Sequence, residues 1–323
     1  MKTIAIAAGG DSSEFEISIK SAEEVSKILS SGYVVYLIVI RGSNWYWEDK
    51  KGRYHNIDKN DFSLQNDDHR IKFDGVFIAI HGTPGENGLL QGYFDMMGIP
   101  YTSCDAFCSA LTFNKQACKL FLKEYGINMA KAVLIRKGDI INLADLSKQI
   151  GLPCFVKPND SGSSFGVTKV KKEEELQPAI LTAFKESDAV LIEAFIDGRE
   201  IACGVIKTKG KTIVLPLIEI ISKNEFFDFE AKYTQGRSDE ITPADLTLTV
   251  TNEIQRISKN VYDILGCKGI VRVDFIVIGE KPFFIEINTV PGLTKESLVP
   301  KEAVAAGISL ENLYTMAVEN MFE

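Results

Sequence analysis

Residues 271–292, VRVDFIVIGEKPFFIEINTVPG, place an arginine, two acids and an asparagine inside two short apolar segments joined by a turn. Side chains alternate between the two faces of a strand, so Arg272 and Asp274 share one face. Glu286 and Asn288 share a face of the second strand in the same way. Their apolar neighbours are expected on the opposite faces: Val271, Val273 and Phe275 on the first strand, and Phe283, Ile285 and Ile287 on the second.

A turn centred near residues 279–281 would set Asp274 opposite Glu286 and Arg272 opposite Asn288. Directly opposed carboxylates repel each other. One interpretation is a solvated face closed by an Arg–Asp ion pair. The flanking sequences GCKGIV and INTVPGLT are apolar or rich in glycine, which favours an interior position. Two buried carboxylates and an amide oxygen form an all-oxygen ligand set suited to Mg²⁺ carried with phosphates, so the segment predicts a Mg-nucleotide site.

Composition restricts the class of protein. The chain has 323 residues, of which 45% are hydrophobic and 25% charged, as expected for a globular protein of two or three domains. The net charge of −8 argues against a general binder of nucleic acid or membrane surfaces. The N-terminus lacks a long apolar run and no segment approaches the length of a membrane span, so we expect a cytoplasmic protein.

Cysteine and histidine spacing gives no sign of a zinc site. The six cysteines form no CxxC pair, and the histidines lie apart from them: Cys104, Cys108, Cys118, Cys154, Cys203 and Cys267, with His55, His69 and His81. We therefore expect reduced, buried thiols rather than zinc ligands or disulfides.

Strands alternate with helices in the first third of the chain. The segment begins with the apolar strand KTIAIAA, continues through a glycine-rich turn into a helix, and ends with the strand YVVYLIVI. This βαβ unit predicts an α/β fold. Ser13 and Glu16 fit a capping box at the start of that helix. We predict an N-terminal α/β domain over 1–103, a central domain over 104–198 and a C-terminal domain over 199–323. The polar segment SKNEFFDFEAKYTQGRSDEITP is expected to be a mobile loop.

Basic residues that can meet phosphate occur in the central unit. Lys157 ends the strand CFVKP just before the small residues of SGSSFG, whose backbone N–H groups can surround a polyphosphate. Lys115 opens a helix, where the macrodipole does not favour a cation. Each lysine alone is more often a solvated side chain than a ligand. Glu193 and Glu200 in LIEAFIDGRE can serve the sugar and base of a nucleotide, or can be surface acids.

Taken together, these motifs resemble the ATP-grasp superfamily, and most closely the D-alanine:D-alanine ligase family. The motifs that carry the resemblance span nearly the whole chain: AAGGDSSEFEIS, AIHGTPGENGLLQGYFDMMGIPYT, FVKPNDSGSSFGV, LIEAFIDGRE, FDFEAKYT, GCKGIVRVDF and FIEINTVPGLTKESLVP. The resemblance implies an ATP-grasp fold whose central and C-terminal mixed α+β domains hold ATP between them. It also implies formation of D-alanyl-D-alanine for peptidoglycan precursors, with two Mg²⁺ ions for which Mn²⁺ can substitute, and a homodimer.

The resemblance also assigns roles by position. ATP contacts are Lys115, Lys157, Ser164, Glu193, Glu200 and Lys232. The metal ligands are Asp274, Glu286 and Asn288. By the same resemblance, Glu14 and His81 lie at the first D-alanine, and Ser163 and Tyr233 link Glu14 to a closing loop. Arg272 and the Gly292 N–H form the oxyanion site. Ser297 and Leu298 lie at the second D-alanine.

Three departures from the family pattern affect residues near the phosphates and the first substrate. Asn114 stands where many relatives have aspartate, GTPGENG replaces a loop richer in glycine, and Asp160 with Ser161 replaces a common Arg-Glu pair. None of them removes a metal ligand or Arg272. Two other interpretations remain open: a D-alanine:D-lactate or other amino-acid ligase, and a nucleotide-binding regulator without catalysis. Tyr233 favours an amine acceptor, because depsipeptide-forming relatives usually have histidine at that position.

Overall fold

A computed structural model describes residues 1–66, 69–162, 165–222 and 238–323. It shows a mixed α/β architecture with three sheets, which confirms the predicted fold class. No helix among these residues is both long enough and apolar enough to cross a membrane.

The N-terminal sheet is built around an unbroken apolar strand. Its strands are β1 (Thr3–Gly9), β2 (Val34–Arg41), β3 (Asn44–Glu48), β4 (Tyr54–Asp58), β5 (Ser63–Asn66), β6 (His69–Ile71) and β7 (Gly75–Ile78), in the order β6-β5-β4-β3-β2-β1-β7. β1 pairs in parallel with β2 and β7, and its buried side chains cover both of its faces, as is typical of a parallel strand. The short antiparallel strands β3 to β6 were not predicted, because their polar and aromatic residues show no clear alternation.

Helix α1 (Phe15–Leu29) follows β1 and completes the predicted βαβ unit. The capping-box prediction is wrong, because the helix is preceded by Glu14 at the N-cap position and has no side-chain cap. The hydroxyl of Ser12 instead accepts a hydrogen bond from the Glu14 N–H at 3.2 Å and donates one to the His81 carbonyl at 3.0 Å. The turn is therefore fixed by a contact across the sheet rather than by Ser13.

The central sheet is entirely antiparallel. Its strands are β8 (Ala132–Arg136), β9 (Cys154–Pro158), β10 (Thr168–Val170) and β11 (Ala189–Ala194), in the order β10-β9-β11-β8. Helices α5 (Leu143–Ile150) and α6 (Leu176–Ala183) pack on it, the latter preceded by a 3-10 turn over Glu173–Glu175. The predicted strand CFVKP is β9, whereas β8 and α5 were not predicted.

The C-terminal sheet contains the hairpin with the acidic residues. Its strands are β12 (Arg199–Thr208), β13 (Lys211–Val214), β14 (Ile218–Ser222), β15 (Ser238–Ile241), β16 (Ile270–Ile278) and β17 (Lys281–Asn288). The order is β15-β14-β12-β16-β17, and β13 pairs with β12. The segment predicted to be a mobile loop ends in a strand instead, because Ser238–Ile241 form β15. Residues 223–237 of that segment lie outside the described residues.

The remaining helices connect these sheets. They are α2 (Leu89–Met97), α3 (Ala106–Phe113), α4 (Lys115–Lys123), α7 (Leu248–Ile264), α8 (Leu298–Ala305) and α9 (Leu310–Asn320). α3 and α4 contribute buried residues to the same core as α7, β16 and β17, and α8 and α9 share a core with β1 and α1. Cores thus extend across the predicted domain boundaries, which remain predictions.

A β-bulge changes which aromatic side chain enters the core. Asp274 pairs with Glu286, but the next pair is Phe275 with Phe284, so Ile285 is the extra residue of β17. Phe284 is 2% exposed and its ring centroid lies 6.3 Å from that of Phe275. The prediction that Phe283 and Ile285 share a face with Ile287 is therefore wrong. Phe284 takes the core position, and Ile285 lines a cavity.

This correction predicts unequal effects of truncating two adjacent phenylalanines. We expect Phe284→Ala to lower the free energy of unfolding by about 3–5 kcal/mol, because it leaves a cavity in the core. Phe283→Ala is the matched control, and it should cost clearly less because Phe283 is only partly buried. Chemical denaturation of both variants measures the difference. A larger loss for Phe283→Ala would contradict the bulge.

Candidate active site

The register of the acidic hairpin is as predicted. Arg272 pairs with Asn288, and Asp274 pairs with Glu286. The Arg272 Nε and Nη2 atoms donate to the two oxygens of Asp274, each at 2.7 Å, and Asn288 Nδ2 donates to Asp274 Oδ2 at 3.0 Å. The predicted alternative, an Arg–Asp pair, is therefore present, but its side chains are only 13% and 10% exposed rather than solvated.

The ion pair with Asp274 keeps Arg272 positively charged although the side chain is buried. Burial alone would lower the pKa of its guanidinium, but the charge of Asp274 and the hydrogen bonds to it raise that pKa above the ordinary value. Arg272 is therefore a permanent cation on a wall that also contains Asp274 and Glu286. Its contacts with Asp274 use only two of its N–H donors, so further donors remain for a ligand.

Lys115 joins this hairpin to the central sheet. It is the first residue of α4, and its Nζ lies 2.6 Å from the Ser161 carbonyl and 3.4 Å from Glu286 Oε2. Asn159, which is 1% exposed, fixes the start of the helix: its carbonyl accepts from the Lys115 N–H at 3.1 Å, and its side chain accepts from the Gln116 N–H at 2.9 Å. The unusual position of a lysine at a helix start is explained by a carboxylate facing it.

Lys157 and Lys119 share the carboxylate of Glu193. Both Nζ atoms contact this buried acid, one at each oxygen. Burial opposes its ionisation, but the two lysines hold the pKa of Glu193 below its ordinary value. Two cations with one anion leave local positive charge, which suits a phosphate group. Lys119 was not identified from the sequence, although its position four residues after Lys115 on one helix face was an available signal.

A cavity of about 450 Å³ lies between the central and C-terminal sheets. This volume is within the usual range for small-molecule sites. Charged lining residues are Lys115, Lys157, Glu193, Asp197, Arg199, Glu200, Glu219, Arg272, Asp274 and Glu286. Apolar lining residues include Phe155, Phe195, Ile196, Ile220, Ile276 and Phe284. The cavity thus combines an apolar wall with lysines and acids, as a nucleotide carrying a metal ion requires.

Glu14 lies where the N-terminal sheet approaches the central loop. It is 5% exposed, and a Cβ atom added at Gly162 would lie 2.3 Å from Glu14 Oε2. A Cβ atom at Gly82, whose φ is +69°, would lie 3.3 Å from the same oxygen. Glycine at these two positions therefore allows the carboxylate to sit against both backbones, next to the loop that continues into residues 163–164.

His81 is buried and uses both ring nitrogens. Nδ1 lies 2.8 Å from the Val290 carbonyl, and Nε2 lies 3.1 Å from Ser21 Oγ. Burial lowers the pKa of His81, although the charge of Glu14 acts in the opposite direction. A neutral ring that donates from Nδ1 and accepts at Nε2 satisfies both contacts. His81 thus connects α1 with the loop after β17.

Glu86 makes a second connection to that loop and was not identified from the sequence. Its two oxygens accept from the Gly82 N–H at 2.7 Å and from the Val290 N–H at 3.2 Å. Burial, and then the charge of Glu14, raise the pKa of Glu86 to about 8. The only signal in the sequence was an acid inside the loop GTPGENG.

The raised pKa of Glu86 predicts a pH dependence of stability. Between the unfolded value of 4.5 and about 8, the folded protein binds more protons at this site than the unfolded chain does. Stability from this group should therefore fall as the pH rises through that range, by about 1.4 kcal/mol per unit at most. Denaturation from pH 5 to pH 8 should show a smaller decline for Glu86→Gln than for the wild type. The surface variant Glu124→Gln should follow the wild type, and identical slopes for all three proteins would contradict the prediction.

The segment after β17 contains the other predicted substrate residues. Ser297 occupies the N-cap position of α8 without a side-chain cap, and its hydroxyl shares a hydrogen bond with Thr294 Oγ1 at 2.9 Å. Leu298 follows as a buried side chain. A Cβ atom at Gly292 would lie 2.7 Å from Ser297 Oγ, so these two residues are adjacent. The predicted Ser163, Ser164, Lys232 and Tyr233 lie outside the described residues.

Glu302 is a buried acid near Arg272 that the sequence did not reveal. Its Oε1 accepts from the Gly204 N–H at 3.1 Å, and Gly204 pairs with Arg272 on the neighbouring strand. Burial raises the pKa of Glu302 well above its ordinary range. The carboxyl group occupies the space that a side chain at position 204 would need.

Two family models match the chain. The model described as D-ala D-ala ligase N-terminus covers residues 3–104, and the model described as D-ala D-ala ligase C-terminus covers residues 121–319. The chain belongs to the D-Ala-D-Ala ligase family. The family resemblance predicted from the motifs is thus confirmed.

Members of this family are similar to the chain over nearly its full length. The D-alanine–D-alanine ligase of Phocaeicola vulgatus is 49% identical over 323 residues, with 99% of each chain covered. Among solved structures, the VanG D-Ala:D-Ser ligase from Enterococcus faecalis has a TM-score of 0.87 and 31% identity, with 99% of each chain covered. The D-alanine–D-alanine ligase from Bacillus anthracis complexed with ATP has a TM-score of 0.79 and 29% identity, covering 100% of this chain and 98% of that one.

Proposed function

We propose that the chain catalyses the ATP-dependent joining of two D-alanine molecules to D-alanyl-D-alanine, in the cytoplasm, for peptidoglycan precursors. The observation that supports this most directly is Arg272, which donates to Asp274 and lies beside Asp274 and Glu286 on the wall of a cavity that is also lined by lysines. A protein that only binds nucleotide needs no arginine at this position. We further propose a homodimer, as the family resemblance implies.

The cavity can bind ATP through both of its sheets. Lys115 and Lys157 neutralise the phosphates, together with Lys232 and Ser164. Glu193 and Glu200 contact the adenosine, and the apolar wall that includes Phe155 and Ile276 packs against the base. Because Glu193 is already paired with two lysines, it also keeps these cations close to the nucleotide.

Asp274, Glu286 and Asn288 fit a hard metal ion. They offer only oxygen ligands, and the two carboxylates are directly opposed across the hairpin. Asp274 Oδ1, which accepts one hydrogen bond from Arg272, retains a lone pair for a metal, whereas Oδ2 accepts from both Arg272 and Asn288. We propose that these residues would hold two Mg²⁺ ions, replaceable by Mn²⁺, which would supply positive charge next to the phosphates. Arg272 and Lys115 meanwhile limit the repulsion between the opposed acids.

The first step is phosphoryl transfer. Glu14 holds the ammonium group of the first D-alanine, with His81 beside it, and Ser163 and Tyr233 connect Glu14 to the closing loop. A carboxylate oxygen of this D-alanine attacks the γ-phosphorus, the bond to the β-phosphate oxygen breaks, and ADP leaves. The lysines stabilise the charge on the transferring group. The product is an acyl phosphate.

The second step is acyl transfer. The neutral amine of the second D-alanine, held near Ser297 and Leu298, attacks the acyl carbon. Arg272 and the Gly292 N–H stabilise the tetrahedral oxyanion. The intermediate collapses as phosphate leaves with the bonding electrons, and the amine loses a proton. Arginine suits this role because its planar fork stays charged at every working pH.

The choice of acceptor is tested by competition. The wild-type protein should receive ATP, Mg²⁺ and D-alanine with excess D-lactate or D-serine at neutral pH, and the products should be identified by mass. We expect mainly D-alanyl-D-alanine. Predominance of D-alanyl-D-lactate or D-alanyl-D-serine would overturn the proposed acceptor, and ADP formation without any condensed product would overturn the proposed ligase activity.

A further inference from the structure

Three cysteines that are far apart in sequence form one buried cluster. The Sγ atoms of Cys104, Cys108 and Cys267 all lie within 4.8 Å of one another, and the most exposed of these residues is 4% exposed. They come from the segment after the N-terminal sheet, from α3, and from the turn between α7 and β16. All three are free thiols. The chain therefore brings three soft ligands together from three separate elements.

The spacing of these sulfurs fits a metal site better than a disulfide. Cys108 Sγ and Cys267 Sγ are 3.7 Å apart. Sulfur ligands of a tetrahedral zinc ion, at about 2.3 Å from the metal, lie about 3.8 Å from one another. A disulfide would require about 2.05 Å. A metal ion can thus enter with little movement of this pair of sulfurs.

The backbone around the cluster is fixed before any ion binds. Asp105 Oδ1 accepts from the Cys108 N–H at 2.9 Å, which holds Cys108 in the first turn of α3. The Cys267 N–H donates to the Tyr262 carbonyl at 2.9 Å where α7 ends. Cys104 Sγ lies 3.4 Å from the Lys268 N–H. Such preorganisation reduces the entropy lost on binding.

A bound cation would replace the protons of the three thiols, because metals bind thiolates.

We propose that Cys104, Cys108 and Cys267 bind a thiophilic d10 metal ion, such as Zn²⁺ or Cu⁺, as a three-sulfur site. No histidine, aspartate or glutamate joins the three sulfurs among the residues that the structure describes. Three soft ligands in a buried place select such ions over Mg²⁺. The site is separate from the proposed Mg²⁺ site and does not depend on the proposed ligase activity.

The position of the cluster gives the ion a structural consequence. Cys267 lies three residues before the start of β16, the strand with Arg272 and Asp274. Cys104 directly follows the N-terminal α/β segment. An ion bound to all three cysteines would therefore tie the start of β16 to the segment that leaves the N-terminal sheet, and it should raise the melting temperature.

The test uses Cd²⁺ as the probe on the full-length, reduced, metal-free protein. We expect a thiolate-to-metal charge-transfer band that saturates at one Cd²⁺ per chain, with release of protons. Cys108→Ser should weaken binding by about 100-fold or more, because one of three ligands is lost. Cys154→Ser, which removes a buried thiol outside the cluster, should bind as the wild type does. Equal binding by the Cys108→Ser and wild-type proteins, or no saturable band in the wild type, would overturn the proposal.

A second measurement covers the case in which Cys108→Ser does not fold. X-ray absorption of the wild-type protein loaded with one equivalent of Zn²⁺, and separately of Cu⁺, reports the ligands directly. We expect three sulfur neighbours, at about 2.3 Å for zinc. A first shell of oxygen and nitrogen with both ions would overturn the proposal. Three sulfurs with only one of the two ions would identify the ion that the site selects.

Discussion

Glu286→Gln is expected to abolish release of ADP while the protein stays folded. Glu286 faces Asp274 across the hairpin and lies 3.4 Å from Lys115 Nζ, so its negative charge serves both the proposed metal ions and a phosphate-binding lysine. An amide retains the size of the side chain but cannot supply that charge. Several kcal/mol of transition-state stabilisation should be lost, which corresponds to a rate lower by about 100-fold or more.

The matched control is Glu280→Gln, an exposed acid in the turn of the same hairpin. Its rate of ADP release should equal that of the wild type, whereas Asp274→Asn should resemble Glu286→Gln. The assay is a steady-state measurement of ADP with D-alanine and saturating Mg²⁺, accompanied by circular dichroism. Near-normal turnover of Glu286→Gln would remove Glu286 from the proposed metal site.

Arg272→Lys should lower the rate of dipeptide formation by about 100-fold or more while leaving Mg-ATP binding nearly unchanged. An ammonium keeps the charge but lacks the planar fork that holds both oxygens of Asp274 and still presents donors to an oxyanion. Loss of one oxyanion donor has effects of about this size in other enzymes. The loss should therefore appear mainly in kcat.

Arg256→Lys is the control for this prediction. Arg256 also forms a two-pronged pair, with Glu253, but on the exposed face of α7. It should retain wild-type kinetics. Measurement of kcat and KM for D-alanine, together with equilibrium binding of Mg-ATP, separates the two roles of Arg272. If Arg272→Lys is as active as the wild type, Arg272 is only the structural partner of Asp274.

The hairpin shows how far the sequence predicts the site. Alternation and a turn near residues 279–281 gave the correct pairing of Asp274 with Glu286. The actual turn is one residue shorter, with Ile278 paired to Lys281, and the bulge at Ile285 restores the same register. The shorter turn and the bulge together leave the pairing of the charged residues as predicted. They change the pairing of the apolar residues between the turn and the bulge. A bulge of this kind has no clear signal in a run such as PFFIEIN.

Other parts of the site depend on contacts between distant segments. The paired role of Lys119 depends on Glu193 in another strand, and the positions of His81 and Glu86 depend on Val290. The cysteine cluster likewise joins residues that lie about 160 positions apart in the chain. Local periodicity identifies many of the elements, but it does not determine which buried polar groups meet when the elements pack.

Transfer of oxygen from substrate to phosphate tests the proposed reaction most directly. D-alanine labelled with ¹⁸O in both carboxylate oxygens should be incubated with the wild-type protein, ATP and Mg²⁺, and the phosphate and nucleotide products analysed by mass. An acyl phosphate predicts that each dipeptide formed sends one labelled oxygen into inorganic phosphate, while ADP carries none. Dipeptide formation with unlabelled phosphate, or label recovered in AMP, would contradict phosphoryl transfer to the carboxylate in this cavity.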